Sequence, residues 1–419
     1  MSSHFAGRRR RRVLLTGAGA ISSIGIGVAE FAVALRSGRT GTDQITLFDT
    51  SGFQYSRGHQ VGDFDLSRWI HRTPLDKLGR ASRFSVAASR MALEDADVTE
   101  ADLRGRRGLV AVGTTDGEGH ELDQLVEMSL QGGPASMDQA MARRAPASRL
   151  ALSVAHELEL SDVEVFTVPT ACAAGNYALG AGFDAVRSGD VDYALVGGAD
   201  ALCRKTFAGF YRLGLVASEE CRPFDAARDG LLTGEGAGIV LLESEESALA
   251  RDAHVYAEVL GYGLNCDAHN PVSPEEDSVA RCLRLALDNA DVKPQDVDLI
   301  SAHGTGTPTN DVTEARAIRQ VYGDSPPPVI GIKSMIGHTM GAASALAAIA
   351  GALSIRHGFI PPTANHRTTD PECGVDCVPN QAIDADVRIV QNNALAFGGN
   401  NAVVILAAYD RDARSAGDD

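Results

Sequence analysis

The chain has 419 residues, of which 44% are hydrophobic and only 5% aromatic, and it carries a formal net charge of −17 at pH 7. This length can bury one large core or two fused cores, and the composition is typical of a globular protein in water. The acidic balance argues against a nucleic-acid binder, and the longest apolar stretch, at 345–355, is too short to cross a bilayer.

The two ends of the chain are typical of loose segments. We expect residues 1–11, which include most of the arginine run at 8–12, and the polar segment 410–419 to be disordered tails. No long apolar segment precedes a cleavage site, so we predict no signal peptide. Seven cysteines, scattered without close pairs apart from Cys373 and Cys377, do not indicate a disulfide framework. We therefore expect a cytoplasmic protein with free thiols.

Strand-like and helix-like segments alternate through the first half of the chain. The apolar residues of 81–96 recur at steps of three and four, which is typical of a helix with one buried face. Four apolar segments ending in Gly, Thr or Asp predict buried strands at 12–17, 108–115, 163–170 and 193–200. This alternation predicts an α/β architecture in which helices cover both faces of the sheet.

The second half repeats the theme. We predict strands at 296–306 and 328–334, a buried helix rich in Ala and Gly at 341–358, and a hairpin at 387–409 around the letters FGGNN. A soft boundary divides the chain into an N-terminal half, 12–257, and a C-terminal half, 258–409. We expect the two halves to share one body.

Cys172 stands in the stretch VPTACAAGNYALG, between a predicted strand and a predicted helix that ends at Gly189. At the start of a helix, unsatisfied N–H groups and the helix dipole favour a thiolate over a thiol. The same N–H groups can stabilise an oxyanion. This stretch alone leaves open a buried structural cysteine, because free cysteine often serves as a small apolar residue.

Two histidines stand in similar settings at the ends of predicted strands. His303 lies in SAHGTGTPTND, and Lys333 and His338 lie in GIKSMIGHTMGAAS, just before the Ala-rich helix. One such histidine is more often structural, but two of them with a cysteine at a third strand end indicate a converged active site. The spacings match no zinc pattern, and CGVDC at 373–377 has no second ligand pair, so we predict no metal.

These stretches together identify a family. The chain resembles the β-ketoacyl–acyl-carrier-protein synthases, and in particular the elongating type II ketosynthases of the thiolase-like condensing enzymes. The resemblance rests on TACAAGNYALG, GGADAL, RPFDAARDGLLTGEGAG, HGTGTPTND, KSMIGHTMGAAS and FGGNN. It implies an α/β, thiolase-like duplicated five-layered αβαβα fold and a dimer. It also implies that the partner is an acyl carrier protein and that no cofactor is needed beyond the carrier's phosphopantetheine.

The resemblance further implies a decarboxylative Claisen condensation. Cys172 would be the nucleophile that holds the acyl chain. His303 and His338 would hydrogen-bond the carbonyl of a malonyl thioester, promote the loss of CO2 and stabilise the enolate that then attacks the acyl thioester. Lys333 and Glu314 would be the charged pair that orders the site, with a purely structural salt bridge as the alternative.

Other roles follow from the same resemblance. The backbone N–H groups of Cys172 and Phe397 would form the oxyanion hole, and Gly398 and Gly399 would complete the gating hairpin. Thr305 and Thr307 would touch the phosphopantetheine arm, although ordinary turn residues remain the alternative for both.

The neighbouring classes differ in their expected residues. Thiolases use a second cysteine near the C-terminus, chain-initiating ketosynthases resemble a Cys-His-Asn pattern, and chain-length factors lack the nucleophile, so Cys172 with two histidines favours the elongating class. Ala396 replaces a glycine that is frequent in fatty-acid enzymes. The motifs resemble ketosynthases that build polyene or highly reduced polyketides. A housekeeping fatty-acid enzyme, a non-condensing decarboxylase and a silent partner subunit are the alternatives, and both a homodimer and a heterodimer with a chain-length factor stay open.

Docking of the carrier poses an electrostatic problem. Carrier proteins are acidic, and a chain of net charge −17 repels them on average. A local basic patch would resolve this. The candidates are Lys77, Arg80, Arg204, Lys205 and Arg212, with scattered solvated charges as the alternative.

Overall fold

The computed structural model describes residues 11–411, so the two predicted tails lie almost entirely outside the described residues. The strands are β1 (Val13–Ser22), β2 (Gly25–Ile26), β3 (Asp43–Gln44), β4 (Arg57–Gly58), β5 (Gly108–Gly113), β6 (Val163–Val168), β7 (Tyr193–Asp200), β8 (Gly236–Ser244), β9 (Ala257–Cys266), β10 (Leu299–Ser301), β11 (Val329–Ile330), β12 (Phe359–Ile360), β13 (Ile383–Asp384), β14 (Ile389–Leu395) and β15 (Asn400–Ala407). The α-helices are α1 (Val28–Ser37), α2 (Arg80–Asp95), α3 (Glu100–Leu103), α4 (Gly119–Gly132), α5 (Gln139–Arg144), α6 (Arg149–Glu157), α7 (Ala174–Ser188), α8 (Arg204–Arg212), α9 (Glu245–Ala250), α10 (Glu276–Ala290), α11 (Pro308–Tyr322), α12 (Lys333–Ile336) and α13 (Ala343–His357).

The main sheet contains the same five-strand topology twice. Its strand order is β11-β10-β14-β15-β9-β1-β8-β7-β5-β6. In the N-terminal half, β8 is antiparallel to both β1 and β7, and β7, β5 and β6 are parallel. In the C-terminal half, β15 is antiparallel to both β9 and β14, and β14, β10 and β11 are parallel. The predicted duplication is therefore confirmed strand by strand.

The two halves meet at β1 and β9. These strands pair antiparallel, with Val13 opposite Val259 and Leu15 opposite Ala257. The boundary placed between residues 257 and 258 thus falls at the first residue of β9. Because hydrogen bonds join β9 to strands of both halves, the halves share one sheet.

Helices form the other three layers. In the central layer, α7 packs against β5, β7 and β15, and α13 packs against β8, β14 and β15, so both helices contact both half-sheets. On the outer faces, α2 and α6 cover the N-terminal half, and α10, with α11 packed on it, covers the C-terminal half. This is the predicted five-layered αβαβα arrangement.

Small residues allow the central layer to form. Residues 343–354 of α13 are all buried, and nine of these twelve residues are Ala, Gly or Ser. A Cβ atom on Gly175 of α7 would lie 2.7 Å from the Ser344 hydroxyl and 2.8 Å from the backbone nitrogen of Ala345. Contacts this short exclude any side chain at residue 175, so glycine is required where the two helices cross.

Two predicted strands are shorter than expected. The segment 296–306 forms only the three residues of β10, because Gly304 and Gly306 turn the chain with φ of 42° and 76° before α11 begins. The segment 328–334 forms the two residues of β11 and then enters α12 at Lys333. Among residues 11–411, no helix has the length and apolar character needed to span a membrane.

Candidate active site

Cys172 lies where β6 leads into α7, as the sequence predicts. A short 3-10 turn, Ala171–Ala173, joins the strand to the helix. Ala171 has φ of 51°, in the left-handed region that residues with a Cβ rarely adopt. Such a conformation costs on the order of 1 kcal/mol and persists only where the surroundings impose it. Cys172 is buried but lines a cavity, so the turn presents the thiol to an enclosed space.

The environment of Cys172 opposes the thiolate that the helix position suggested. Burial raises the pKa of the Cys172 thiol to about 12, while the Lys333 ammonium group and the backbone N–H of Phe397 act in the opposite direction. Desolvation of the charged form outweighs these stabilising contacts. The raised pKa favours the thiol form of Cys172 in the substrate-free protein.

His303 is held from two sides by buried charged groups. On one side, the Glu314 carboxylate accepts the backbone N–H groups of His303, at 2.7 Å, and Gly304, at 2.9 Å. On the other side, the Lys333 ammonium nitrogen lies 3.3 Å from His303 Nδ1 and donates to the His303 carbonyl oxygen. Because ammonium is only a donor, this contact makes Nδ1 the acceptor and leaves the proton on Nε2.

Lys333 and Glu314, predicted as the charged pair that orders the site, do not touch each other directly. No ion pair within 4.0 Å joins them among the described residues; instead each binds His303, and Glu314 also accepts the Asn393 side-chain amide at 3.1 Å. Burial raises the pKa of Glu314 and lowers the pKa of Lys333, which Glu314 attracts electrostatically. The backbone of His303 lies between the two charges, since it donates to Glu314 and accepts from Lys333.

His338 is fixed by its backbone and by its ring. Its backbone N–H donates to the Leu232 carbonyl at 2.7 Å, and its carbonyl accepts the Gly234 N–H at 2.8 Å. Its ring Nδ1 accepts the backbone N–H of Met340 at 3.1 Å, which places the proton on Nε2. Met340, with φ of 52°, opens a second 3-10 turn, Met340–Ala342, that leads into α13.

The two imidazoles are neutral hydrogen-bond donors. Their ring centroids lie 5.5 Å apart and the rings are nearly perpendicular, at 81°. Burial lowers the pKa of both His303 and His338 well below the usual histidine range, and the positive charge of Lys333 acts in the same direction. A neutral imidazole with Nε2 protonated can donate to a carbonyl oxygen without transferring its proton.

The turn between β14 and β15 closes the site. Gly398 and Gly399 adopt φ of 87° and 80°, which residues with side chains rarely do. The turn is tied to the loop after β9, since Gly398 N–H donates to the Pro271 carbonyl and Gly399 accepts the Asp267 N–H, both at 2.9 Å. The backbone N–H of Phe397 favours negative charge at the Cys172 sulfur and so acts to lower the pKa of that thiol.

The predicted reactive residues line one cavity. Cys172, His303 and His338 all contribute to its wall. Thr305 and Thr307 line it as well, with their hydroxyl oxygens 2.8 Å apart. The structure therefore brings the predicted nucleophile, both histidines and both threonines to a common space.

Sequence reasoning missed several residues of this cavity. Phe210 of α8 lies with its ring 5.6 Å from that of Phe397 and 6.3 Å from that of His338. Leu231 and the segment 272–274 complete the apolar wall. The spacing of Phe207 and Phe210 predicts that one side of α8 is buried, but no local signal places that side at the active site.

Asp311 is a second omission. It is fully buried, and it accepts the backbone N–H groups of Phe224, Thr305 and Gly306 at 2.8 to 3.2 Å. It thereby holds the turn that carries Thr305. A buried carboxylate with several N–H donors could have been suspected from the letters TND, because Asp is rarely buried without partners.

Only some of the five predicted basic residues are exposed and able to contact a carrier protein. Arg80 is excluded, because its guanidinium group binds the fully buried Glu235 at 2.6 and 2.8 Å. Lys205 pairs with Asp116 at 2.8 Å, although about half of its side chain is exposed. Arg204 and Arg212 are exposed at the two ends of α8. Lys77 is exposed on a separate turn, Leu75–Lys77, that packs on α5.

Family models match both halves of the chain. The model described as "Beta-ketoacyl synthase, N-terminal domain" matches residues 10–248, and the model described as "Beta-ketoacyl synthase, C-terminal domain" matches residues 256–367. Two relatives are named 3-oxoacyl-[acyl-carrier-protein] synthase 2. The protein of Staphylococcus aureus (strain N315) is 34% identical over 96% of this chain and 99% of its own length. The protein of Synechocystis sp. is 35% identical over 96% and 100%.

Solved structures give the same answer. "The ishigamide ketosynthase/chain length factor" matches with a TM-score of 0.95 and 58% identity, covering 96% of this chain and 100% of the matched chain. A ketosynthase in complex with its type II acyl-carrier protein and bound to a hexaketide matches with a TM-score of 0.87 and 32% identity, over 96% and 100%. The chain is a condensing enzyme that belongs to the β-ketoacyl synthase family.

Proposed function

We propose that the reaction begins with transfer of an acyl chain to Cys172. The thiol sulfur attacks the carbonyl carbon of an acyl–carrier thioester, a new C–S bond forms, and the bond to the carrier's sulfur breaks. The thiol proton leaves with the carrier as its free thiol. The N–H groups of Cys172 and Phe397 stabilise the oxyanion formed on the way. The backbone N–H of Phe397, which favours negative charge at the Cys172 sulfur, supports this assignment.

The second half-reaction uses the two histidines. A malonyl thioester places its carbonyl oxygen between the Nε2–H groups of His303 and His338. The bond to the malonyl carboxylate breaks, CO2 leaves, and the electron pair remains as an enolate. The enolate carbon attacks the acyl–Cys172 carbonyl, a C–C bond forms, and the cysteine leaves as thiolate. The single observation that carries the proposal is the convergence of Cys172, His303 and His338 on one cavity.

This scheme needs no resident metal or cofactor. The thioester carbonyl of the substrate stabilises the carbanion, and no oxidant or reductant enters the balance. Lys333 and Glu314 act by holding His303, and Thr305 and Thr307 contact the phosphopantetheine arm as it enters the cavity.

The experiment separates the two half-reactions. Cys172→Ala abolishes acylation in intact-mass spectra but still releases CO2 from malonyl-pantetheine, whereas His338→Ala and His303→Ala retain acylation and lose at least tenfold in CO2 release. A Cys172→Ala variant that still forms a β-ketoacyl product, or histidine variants with normal CO2 release, would overturn the assignment.

We propose further that the product is a polyketide, and specifically a polyene or highly reduced chain. The 58% identity to an ishigamide ketosynthase/chain length factor, against 33 to 35% for the relatives named 3-oxoacyl-[acyl-carrier-protein] synthase 2, supports the polyketide pathway over the fatty-acid pathway. Incubation with saturated and polyunsaturated acyl-carrier thioesters tests this by the mass added to Cys172. Preference for saturated chains would favour the fatty-acid pathway.

The carrier protein docks, in this proposal, on the exposed side of α8. Arg204 and Arg212 are exposed on this helix, and the Phe210 side chain of the same helix lines the cavity. Reversing both arginines to Glu raises KM at least fivefold for carrier-bound substrate and leaves it unchanged for pantetheine-bound substrate. Arg281→Glu, at an exposed residue of α10, is the control and should leave both KM values unchanged. An unchanged KM for the carrier substrate refutes this surface.

We propose a heterodimer with a chain-length factor, formed along β6. This strand is the last of the main sheet, and its residues Val163, Val165 and Phe166 are only half-buried. An apolar edge strand leaves backbone N–H and C=O groups unpaired, and these groups can bond to a strand of another chain. After co-expression with a chain-length factor, the Val165→Lys variant should be a monomer by light scattering. Val33→Lys, at an exposed residue of α1, is the control and should still form the heterodimer. If the protein forms a homodimer in the absence of the chain-length factor, the proposed heterodimer is wrong.

A cytoplasmic location is part of the same proposal. All seven cysteines are free thiols within the described residues, and six of them are buried. Free thiols are stable in a reducing compartment.

A further inference from the structure

His59 lies directly beneath the turn that carries His338. It is fully buried, and no role in the reaction has been assigned to it so far. A Cβ atom on Gly337 would lie 2.5 Å from His59 Cδ2 and 2.8 Å from Cγ. The imidazole ring therefore occupies the space that any side chain at residue 337 would need. Gly337 also has φ of 66°, so glycine is required at this position for two reasons.

The backbone of His59 is joined to that of His338 through one intervening segment. His59 N–H donates to the Thr233 carbonyl at 2.8 Å, and the Glu235 N–H donates to the His59 carbonyl at 3.2 Å. The other edge of this segment bonds His338, through the carbonyl of Leu232 and the N–H of Gly234. His59 thus supports the active-site turn both through its ring and through the backbone ladder.

Hydrogen bonds from the N-terminal half fix the His59 ring. Its Nε2 lies 3.0 Å from the Thr42 hydroxyl, and its Nδ1 lies 3.4 Å from the Ser23 hydroxyl. The carbonyl of Met335, in α12, also faces the ring and accepts the Gly41 N–H at 2.9 Å. Burial lowers the pKa of His59 to about 3, so the ring stays neutral and keeps these bonds at any working pH.

We infer that His59 is a positioning residue that holds His338 in the geometry needed for decarboxylation. The Thr42 and Ser23 hydroxyls bind one side of the ring. The other side of the ring packs against Gly337. The inference rests on the role proposed above for His338. Because His59 is separated from the cavity by the 337–338 turn, it acts only through His338 and touches no substrate.

The test measures the ratio of the two half-reactions. His59→Ala should lower CO2 release from malonyl-pantetheine at least tenfold, while acylation of Cys172 by hexanoyl-pantetheine stays within twofold. A residue with a merely structural role would lower both rates together, in proportion to the folded fraction. His59→Phe keeps a ring against Gly337 and loses the bonds to Thr42 and Ser23, so an intermediate ratio is expected even if the alanine variant folds poorly.

A double-mutant cycle tests the contact itself. Gly337→Ala clashes with the ring in the wild-type background, and His59→Ala removes that clash. The double variant should therefore lose less activity than the two single losses predict together, since residues in contact are not additive. Additive losses would show that the ring does not act through Gly337.

Two controls separate the possible failures. His366→Ala removes another buried imidazole, whose ring bonds to Thr369 rather than to the active-site turn, and should leave the ratio unchanged. His338→Ala tests the role on which the inference rests. If His338→Ala loses CO2 release and His59→Ala does not, the inference about His59 is wrong and the proposed function stands. Normal CO2 release in His338→Ala would contradict both the inference and the proposed role of His338.

Discussion

At the scale of single residues, the site combines a buried thiol with a buried cation. The Lys333 ammonium group binds His303 and attracts negative charge on Cys172, while burial opposes every charge in the cavity. Isolated buried charges are costly, and they persist where hydrogen bonds and an opposite charge compensate. Lys333 has both, in the carbonyl of His303 and the carboxylate of Glu314.

Removal of this cation should make Cys172 less reactive. In Lys333→Met the pKa of the thiol should rise further, because the favourable charge next to the thiolate is gone. We expect alkylation of Cys172 by iodoacetamide at pH 8 to slow at least fivefold, measured by peptide mass. Cys266, which is exposed, serves as the internal control within the same sample. Equal rates at Cys172 in both proteins would mean that Lys333 does not stabilise the thiolate.

The depressed histidine pKa values make a prediction about pH. His303 and His338 have folded pKa values well below 6.5, so both stay neutral as the pH falls through the range where an ordinary histidine becomes charged. CO2 release from malonyl-pantetheine should therefore lack a falling limb with an apparent pKa near 6.5. A CO2-release rate that halves as the pH falls through 6.5 in the wild-type protein would contradict this account.

At the scale of elements, the active site is built from turns rather than from strands. The gating turn depends on two consecutive glycines in left-handed conformations, and its bonds to Asp267 and Pro271 fasten it to the loop after β9. That loop also lines the cavity. A movement of the gating turn therefore has to break these two hydrogen bonds or carry the loop with it.

A side chain in the gating turn should slow this movement. Gly398→Ala meets no close atom, but its φ of 87° costs a residue with a Cβ roughly 1–3 kcal/mol. We expect acylation by a long acyl-pantetheine to fall at least fivefold while iodoacetamide, which is small, still reaches Cys172. Gly62→Ala, at an open position without positive φ, is the matched control. Unchanged acylation in Gly398→Ala would show that the turn tolerates the substitution.

The sequence predicted the elements better than the contacts between them. Apolar periodicity and Gly punctuation located β6, α7, α13 and the final hairpin, since these signals are local. Arg80 was misjudged because its partner is remote in sequence: Glu235 lies 155 residues away. The sequence also did not show that the backbone of His303 separates Glu314 from Lys333. Phe210 and His59 were missed for the same reason, since neither has a local signal that distinguishes it from a core residue.

At the scale of the whole molecule, the buried acidic groups tie stability to pH. Glu118 is fully buried, and it accepts the backbone N–H groups of Ala81 and Ser82 at the start of α2. Burial, reinforced by the neighbouring Glu121, raises the pKa of Glu118 to about 8. In the unfolded chain this carboxyl ionises near 4.5, so the folded state holds the extra proton between these values.

Stability should therefore fall as the pH rises from 5 to 8 and the unfolded chain gives up a proton that the folded chain keeps. Glu118→Gln cannot titrate, so the free energy of unfolding of the variant relative to wild type should rise by up to about 1.4 kcal/mol per pH unit over this range. Thermal unfolding at several pH values measures this difference in the free energy of unfolding. Glu127→Gln, at an exposed residue of the helix α4 that follows Glu118, is the control. A constant difference across pH would rule out an elevated Glu118 pKa.

The turn before each central helix occurs in both halves, but the two copies carry different side chains. Ala171 and Met340 stand at equivalent points, with φ of 51° and 52°, and each begins a 3-10 turn that leads into a helix of 15 residues. Cys172 in the first half thus corresponds to Gly341 in the second. A Cβ on Gly341 would lie 2.5 Å from the Thr114 Cα, so no second thiol fits there. The second copy instead fixes an imidazole, because the Met340 N–H donates to His338 Nδ1. One backbone device therefore presents a thiol in one half and orients a histidine ring in the other.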